Sequence, residues 1–104
     1  MKSTQISYIL KPEKLNEHIL LVQAVFRELH NPASIDMQYA CFKTTDNTFV
    51  HIAQFGSEAA QKAFTELAAF RAFRKNLSDR ILDKPVSENI LEIGHYSPTR
   101  ADAV

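Results

Sequence analysis

The side chains best suited to chemistry in this 104-residue chain lie in a stretch of alternating residues near its middle. His51 falls on the same side of that stretch as Phe49, Ala53 and Phe55. An imidazole titrates close to neutral pH and can act as a general base toward a phenolic substrate. A hydrogen-bonded histidine with a purely structural role in a sheet would show the same pattern, so the sequence leaves both roles open.

Two further reactive side chains, Tyr39 and Cys41, share one face of the preceding alternating stretch. If the two stretches pair, His51 can form a His–Tyr or Cys–His pair with them. Cys41 would act as a nucleophile only with an activating base and access to solvent, whereas a lone cysteine is usually a small buried apolar residue. We therefore take His51 and Tyr39 as the catalytic candidates.

The remaining histidines and tyrosines give weaker signals. His95 and Tyr96 are adjacent and must point to opposite faces of a strand, so at most one can reach a given pocket. Tyr8 is a similar case, and all three also suit packing or a dimer contact. The four histidines have no spacing typical of a metal site and no second cysteine, so we expect no metal.

A cluster of basic residues could contact a phosphate or a carboxylate. The neighbouring Asp79 and Asp83 favour a solvated helix face instead. The cluster comprises Arg71, Arg74, Lys75 and Arg80.

Composition excludes several classes of function. Twelve basic residues balance twelve acidic ones, so no net charge attracts the chain to nucleic acid or to anionic lipid. The single cysteine cannot form an internal disulfide, and the first residues lack the pattern of a signal peptide. No apolar run is long enough to cross a membrane. We expect a soluble cytoplasmic protein with no nucleic-acid or membrane partner.

The first half of the chain predicts a strand, a helix and a hairpin. Residues 5–10 alternate as a strand, and Pro12 then favours the start of a helix. The helix carries one apolar stripe, ended by Asn31 and Pro32, with members Leu15, Ile19, Val22, Phe26 and Leu29. Residues 35–42 and 49–55 alternate again, and the polar residues 44–47 predict a turn between them.

The second half predicts a broken helix and a last strand. Ser57 is a good N-cap, and apolar residues at helical spacing continue from Ala60 to Ile81. One helix of that length would be much longer than the strands, so we expect a break near residues 68–70. Residues 89–96 alternate and predict the final strand.

The element order β-α-β-β-α-β predicts an α+β domain of the ferredoxin-like, split βαβ class, with an antiparallel sheet ordered 4-1-3-2 and both helices on one face. One domain spans residues 1–104, with its core at about residues 5–96. Every predicted strand carries apolar residues on both sides, and the uncovered face therefore needs a partner. We expect a homodimer that packs through its sheet faces, which makes a dimeric α/β barrel.

This organisation, together with the segment QFGSEAAQKAFTELAAFRAF, resembles the antibiotic-biosynthesis-monooxygenase-like group of dimeric α/β-barrel proteins. In that group the third strand ends in a polar residue, an aromatic residue and a helix cap, and the helix breaks before a Phe-x-x-Phe segment. The matching positions are Gln54, Phe55, Ser57, Ala60, Phe70 and Phe73.

The resemblance implies an activity and a place for the site. Characterised members oxidise phenolic polyketides or degrade haem in a pocket between the sheet and the helices. For this chain it implies a pocket with no bound cofactor, lined by Phe55, Phe64, Phe70, Phe73 and His95. The chain departs from the group in having no tryptophan, and in carrying Phe64 where many relatives place a histidine.

The leading functional prediction is a cofactor-independent monooxygenase-like protein that acts on or binds a small aromatic or quinone-type molecule. In it, His51 removes a phenolic proton and the pocket holds the electron-rich anion for reaction with dioxygen. The main alternative is a non-enzymatic, stress-related or regulatory ligand-binding dimer of the same superfamily, and a third is an isomerase or lyase on the same scaffold.

Overall fold

The architecture is known from a computed structural model, which describes residues 2–31 and 34–98. In chain order the elements are strand β1 (Lys2–Ile9), a short 3-10 helix (Pro12–Lys14), helix α1 (Leu15–His30), strands β2 (Met37–Lys43) and β3 (Thr48–Phe55), helices α2 (Glu58–Thr65), α3 (Ala68–Arg74) and α4 (Leu77–Arg80), and strand β4 (Val86–Asn89).

The four strands form one antiparallel sheet in the order β2-β3-β1-β4. This is the predicted order, because right-handed crossovers place each helix between strands that are not neighbours in the sheet. Buried residues of α1, α2 and α3 share one core with Tyr8, Phe49 and Phe55 of the sheet. The helices therefore cover one face, and the other face of this open sheet is uncovered. We call them the covered face and the open face.

The β2–β3 hairpin forms where the polar residues predicted a turn. The backbone N–H of Thr44 donates to the carbonyl of Thr48 at 2.9 Å, and the chain reverses over the residues between them. Asn47 takes a left-handed backbone conformation with φ of 66°, which asparagine tolerates better than most residues. The turn fixes the register that pairs Cys41 with His51.

The second helical region is divided twice. The predicted N-cap is confirmed, because the Ser57 hydroxyl accepts a hydrogen bond from the Ala60 N–H at 3.0 Å. Helix α2 ends at Thr65, slightly before the predicted break, and Leu67 is extended. Glu28 of α1 then accepts from the Ala69 N–H at 2.8 Å and so caps the start of α3. A side chain from another helix, rather than a glycine or proline, stabilises the break.

The final strand corrects a prediction. Residues 89–96 were expected to form it, but β4 covers only Val86–Asn89, and residues 91–98 have no regular structure. Beyond Asn89, which pairs with Thr4, the ladder adds one bond from the Ile90 N–H to the Ser3 carbonyl. Within the described residues, β4 pairs with Thr4 to Ser7 of β1 and does not extend further along that strand.

The open face is graded in polarity rather than uniformly apolar. The register places its residues in three rows across the sheet. One row is mainly apolar, the middle row is mixed, and the third is rich in amides. Each row is given in the strand order β2, β3, β1, β4. The mainly apolar row is Phe42, Val50, Ser7 and Val86, and the mixed row is Ala40, Ile52, Gln5 and Glu88. The amide-rich row is Gln38, Gln54, Ser3 and Ile90.

In the part of the chain that the structure describes, no helix is both long enough and apolar enough to cross a membrane.

Candidate functional site

The sheet register brings four reactive side chains together on the covered face. His51 lies at the centre of this face, with Cys41 directly opposite on β2 and Ile6 directly opposite on β1. Tyr8 and Tyr39 each lie two residues along from those positions, on the same faces of their strands. Diagonal neighbours of this kind are within reach of aromatic side chains. His51 is therefore flanked by a tyrosine on each side.

Both ring nitrogens of His51 are hydrogen-bonded to tyrosine hydroxyls. Its Nε2 lies 2.6 Å from the Tyr8 hydroxyl, and its Nδ1 lies 2.6 Å from the Tyr39 hydroxyl. Cys41 Sγ is 3.7 Å from the same Nε2. The predicted His–Tyr and Cys–His pairs are thus both present as contacts, and the tyrosine bonds are the short ones.

The hydrogen bonds continue from Tyr8 into the helical layer. The Tyr8 hydroxyl also lies 2.6 Å from Nε2 of His18 on α1, and Arg80 of α4 donates through Nε to His18 Nδ1 at 3.0 Å. His18 is fully buried and Arg80 is 2% exposed. Five side chains therefore make one continuous path, which we call the Arg80–Tyr39 chain: Arg80, His18, Tyr8, His51 and Tyr39.

Arg80 is held in place by backbone groups at the end of α3. Its Nη1 donates to the Lys75 carbonyl at 2.9 Å, and its Nη2 donates to the Phe73 carbonyl. The last carbonyls of a helix lack partners within the helix, and a basic side chain commonly satisfies them. The backbone of Arg80 is tied to the end of β1, because its carbonyl accepts from the Lys11 N–H at 2.8 Å.

Burial sets the ionisation of the Arg80–Tyr39 chain. Desolvation lowers the pKa of His51 to about 4, and desolvation together with the Arg80 charge lowers that of His18 to about 4. Desolvation also raises the pKa of both Tyr8 and Tyr39 well above the ordinary value. At neutral pH both imidazoles are neutral and both phenols are protonated, so Arg80 is the one charged member.

Burial likewise raises the pKa of the Cys41 thiol to about 11. The thiolate is the nucleophilic form of cysteine, and very little of it exists at neutral pH under those conditions. This favours the role of a small packed residue for Cys41.

A cavity of about 370 Å³ lies between the covered face and helices α2 and α3. The Arg80–Tyr39 chain reaches it, since Tyr8, Tyr39 and His51 all border it. The wall opposite the sheet, from α2 and α3, includes the rings of Phe64, Phe70 and Phe73. Phe55 of β3 lines the same cavity from the sheet side, so all four of these predicted pocket residues border it. The structure thus brings together both catalytic candidates and four of the five predicted pocket residues.

The fifth predicted pocket residue, His95, does not lie at this cavity. It borders a separate groove on the open face, beside Gln38, Ile52 and Glu92. The expected strand would have carried His95 along the sheet, but β4 ends at Asn89.

Three members of the Arg80–Tyr39 chain are not predicted from the sequence. Tyr8 was assigned to packing, and Arg80 to a solvated basic patch. His18 was considered only as a metal ligand. For His18 a signal exists, because it lies three residues after Leu15 and four before Val22, within the apolar stripe of α1. Nothing local marks Arg80, whose burial depends on the breaks that separate α3 from α4.

Among residues 2–31 and 34–98, no three side chains of His, Cys, Asp or Glu converge as a metal site would require.

Comparison with solved structures identifies the fold. An antibiotic biosynthesis monooxygenase superposes with a TM-score of 0.74 at 14% identity, over 90% of this chain and all 100% of its own. A protein from Caulobacter crescentus, named as a candidate antibiotic biosynthesis monooxygenase, gives 0.74 at 12% identity over 89% and 90% of the two chains. A protein from Mycobacterium tuberculosis gives 0.73 at 9% identity over 92% and 98%.

Neither family profiles nor curated proteins match the sequence itself. Identities this low show the fold alone. At that level the resemblance predicted from the sequence is confirmed, and the α+β split βαβ class with it.

Proposed function

We propose, for a chain that shares the fold of antibiotic biosynthesis monooxygenases, that the cavity binds a small aromatic or quinone-type molecule and that the protein oxidises it with dioxygen and no cofactor. The observation that carries this proposal is the pairing of two walls. Three phenylalanine rings of α2 and α3 lie in one wall, and the hydrogen-bonded tyrosine and histidine side chains of the sheet border the other.

The size and lining of the cavity favour a compact planar ligand. Its volume of about 370 Å³ falls in the range typical of sites for small molecules. The Phe64 and Phe70 rings lie 4.5 Å apart between centroids, and Phe70 and Phe73 lie 6.0 Å apart. An aromatic ligand can pack against these rings in offset or edge-to-face geometry.

Tyr39 is the residue placed to meet the ligand's oxygen atom. It borders the cavity, and the hydrogen bond between its hydroxyl group and His51 Nδ1 fixes its orientation. Its ring is also stacked on Phe26 at 4.7 Å between centroids, which limits its movement. A rigid polar group in a mostly apolar site orients a ligand and can stabilise charge that develops on it.

The proposed oxidation balances without a cofactor. When the CH2 carbon of an anthrone becomes a carbonyl, one oxygen atom of O2 enters the product and the other leaves as water. The two hydrogen atoms of the carbon become the hydrogens of that water. The substrate supplies all the electrons that dioxygen requires, so the protein needs only to bind the electron-rich form of the substrate and exclude other reactions.

Binding without catalysis is the second candidate, and a specific observation favours it. Both nitrogens of His51 are engaged by tyrosines, and burial lowers its pKa to about 4. His51 is therefore a weak base with no unoccupied nitrogen. A ligand-binding protein needs the cavity but does not need such a base.

Oxygen uptake with a panel of hydroquinones and anthrones separates the two candidates. We expect the native protein to accelerate uptake with at least one member, and Tyr39→Phe and His51→Ala to slow it by about tenfold or more. His30→Ala is the matched control, because His30 is exposed at the end of α1. Circular dichroism would confirm that each variant is folded.

Equal rates in the native protein, Tyr39→Phe and His51→Ala would contradict the enzymatic proposal. Saturable binding of a panel member without any acceleration of oxygen uptake would favour the ligand-binding candidate. Absence of both would contradict the assignment of the cavity as the site.

We also propose that two copies pack through the open faces of their sheets. Phe42 is 58% exposed and Val86 is 56% exposed, in the apolar row of that face. Leu91 and Ile93, beyond β4, are 83% and 90% exposed. Apolar side chains grouped on an uncovered sheet are typical of an interface. A second copy would supply the cover that the first lacks.

Sedimentation tests this assembly. We expect a dimer at micromolar concentration for the native chain and a monomer for Phe42→Asp, which places a charge in the apolar row. Leu20→Asp is the control, because Leu20 is 61% exposed on α1, away from the open face. A native protein that stays monomeric at all concentrations would contradict the proposal.

A further inference from the structure

Each hydrogen bond of the Arg80–Tyr39 chain has a defined donor and acceptor, and Arg80 determines them. A guanidinium group has only donors and stays protonated. Arg80 Nε donates to His18 Nδ1 at 3.0 Å, so that nitrogen must present a lone pair. The proton of neutral His18 is therefore on Nε2.

The position of the His18 proton determines the donor of each following hydrogen bond. His18 Nε2–H donates to the Tyr8 oxygen, and the Tyr8 hydroxyl then donates to His51 Nε2, each over 2.6 Å. His51 Nε2 is therefore the acceptor, and the proton of His51 is on Nδ1. From there it donates to the Tyr39 oxygen, also over 2.6 Å.

Reversing the two hydrogen bonds of His51 would destabilise the protein. If Tyr39 donated to His51 Nδ1, the Tyr8 oxygen would accept from both histidines and its own hydrogen would have no acceptor. Tyr8 is 4% exposed, so water cannot compensate readily. A buried donor without a partner is expensive, whereas the direction that starts at Arg80 satisfies every buried member.

The last hydrogen of the path is that of the Tyr39 hydroxyl. Among the residues that the structure describes, none accepts it, and Tyr39 borders the cavity. We propose that the cavity binds its ligand through an oxyanion, a phenolate or enolate oxygen, which accepts the hydrogen bond of the Tyr39 hydroxyl. This deepens the proposed function by assigning the donor that binds the ionised oxygen and the residues that orient it, and it rests on the cavity being the ligand site.

The charges around the cavity support an anionic ligand. Arg74 borders the cavity, with its guanidinium 6.0 Å from the centre of the Phe70 ring, and Arg80 lies behind it at the far end of the path. No aspartate or glutamate belongs to the described residues that line the cavity. The other titratable groups facing the path, Cys41 and Tyr8 among them, are neutral at neutral pH.

The direction of the path separates the roles of its members. Tyr39 is the residue that contacts the ligand. Arg80, His18 and Tyr8 are positioning residues, since they act on the ligand only by fixing which atom of His51 carries the proton. His51 faces Tyr39 as a donor, so the ligand loses its proton to solvent or arrives ionised.

The test uses 4-nitrophenol, because its absorbance distinguishes phenol from phenolate. We expect the native protein to lower the pKa of the bound probe by about one unit or more, which is a tenfold preference for phenolate. Tyr39→Phe should abolish most of that preference, because it removes the donor and little else. Tyr96→Phe is the matched control, because it removes a tyrosine hydroxyl from an 86% exposed residue outside the cavity.

Arg74→Met tests whether the charge of Arg74, rather than the Tyr39 hydroxyl, causes the preference for phenolate. A preference lost in Arg74→Met but unchanged in Tyr39→Phe would overturn the proposal. So would a pKa of the bound probe that is unchanged or raised, or no saturable binding at millimolar concentration. Oxygen uptake is measured separately. A lowered pKa of the bound probe without oxygen uptake would support this inference and contradict the enzymatic proposal. Oxygen uptake with an unchanged pKa of the probe would support the enzymatic proposal and contradict this inference.

Discussion

The two faces of the sheet differ in how they hold their polar residues. On the covered face, His51 and Tyr8 are 6% and 4% exposed, and both nitrogens and the hydroxyl are hydrogen-bonded. On the open face, residues such as Gln38 and Glu88 are exposed to solvent and alternate with apolar ones. Polar groups cost little on the open face and a great deal on the covered face.

This difference indicates which face carries specific chemistry. A core of apolar side chains would stabilise the covered face at least as well as buried polar groups, which must first be desolvated. The Arg80–Tyr39 chain is therefore better explained by what it presents to the cavity than by stability. The open face needs only a cover, which a second copy can provide.

The largest contrast between the faces is expected for two phenylalanines. Phe49→Ala on the covered face should lower the free energy of unfolding by about 3–5 kcal/mol, because it leaves a void in a packed core. Phe49 is 3% exposed and its ring stacks on Tyr8 at 5.7 Å. Phe42→Ala on the open face should change the value by about 0.5 kcal/mol or less in the monomer. Urea unfolding measures both, and equal losses would contradict the contrast.

A smaller loss is expected for Arg80→Met, of about 2 kcal/mol. The change leaves two backbone carbonyls and His18 Nδ1 without their donor, and relief from burying a cation offsets part of that cost. Arg74→Met is the control, because Arg74 is exposed. A gain in stability for Arg80→Met would contradict this prediction. It would mean that desolvation of the Arg80 charge destabilises the fold by more than its hydrogen bonds stabilise it.

Within the path, Tyr8→Phe should cost more than Tyr39→Phe. Removing the Tyr8 hydroxyl leaves partners unsatisfied on two buried histidines, with a loss of about 1–3 kcal/mol. Tyr39 is only half-buried, whereas Tyr8 is 4% exposed, so water can replace the Tyr39 hydroxyl more readily, and we expect about 1 kcal/mol or less. Chemical denaturation of the two variants measures the difference, and a larger loss for Tyr39→Phe would contradict the expected dependence on burial.

A dependence of the free energy of unfolding on pH is also expected for the covered face. The pKa values of His18 and His51 are lowered from 6.5 to about 4, so the unfolded chain binds protons first as the pH falls. The free energy of unfolding should therefore decrease from pH 6.5 to pH 5, above the range where most carboxylates titrate. His51→Gln should reduce that slope by about half, since one of two titrating groups is lost. A flat profile in the native protein would contradict burial of neutral imidazoles.

Much of the covered face follows from sequence patterns. The alternation around Tyr39 and His51, with the polar turn between their strands, predicts the hairpin and the shared face. The segment from Gln54 to Phe73 predicts the aromatic wall through its resemblance to known proteins. These signals are local, because they depend on side chains two, three or four residues apart.

What the sequence does not predict depends on distant contacts. The break before α3 is capped by Glu28 from another helix, and Arg80 becomes buried only because α4 turns back against β1. The misplaced final strand has the same origin, since its length depends on how far it pairs with β1, which is distant in the sequence. An alternating pattern shows that a segment can pair, but not how much partner strand remains.

Long-range 1H–15N NMR spectra of the histidine side chains test the central claim directly, because they report which ring nitrogen carries the proton. We expect opposite tautomers at neutral pH, with the proton on Nε2 in His18 and on Nδ1 in His51. The same tautomer in both rings, or a proton on Nε2 of His51, would contradict it.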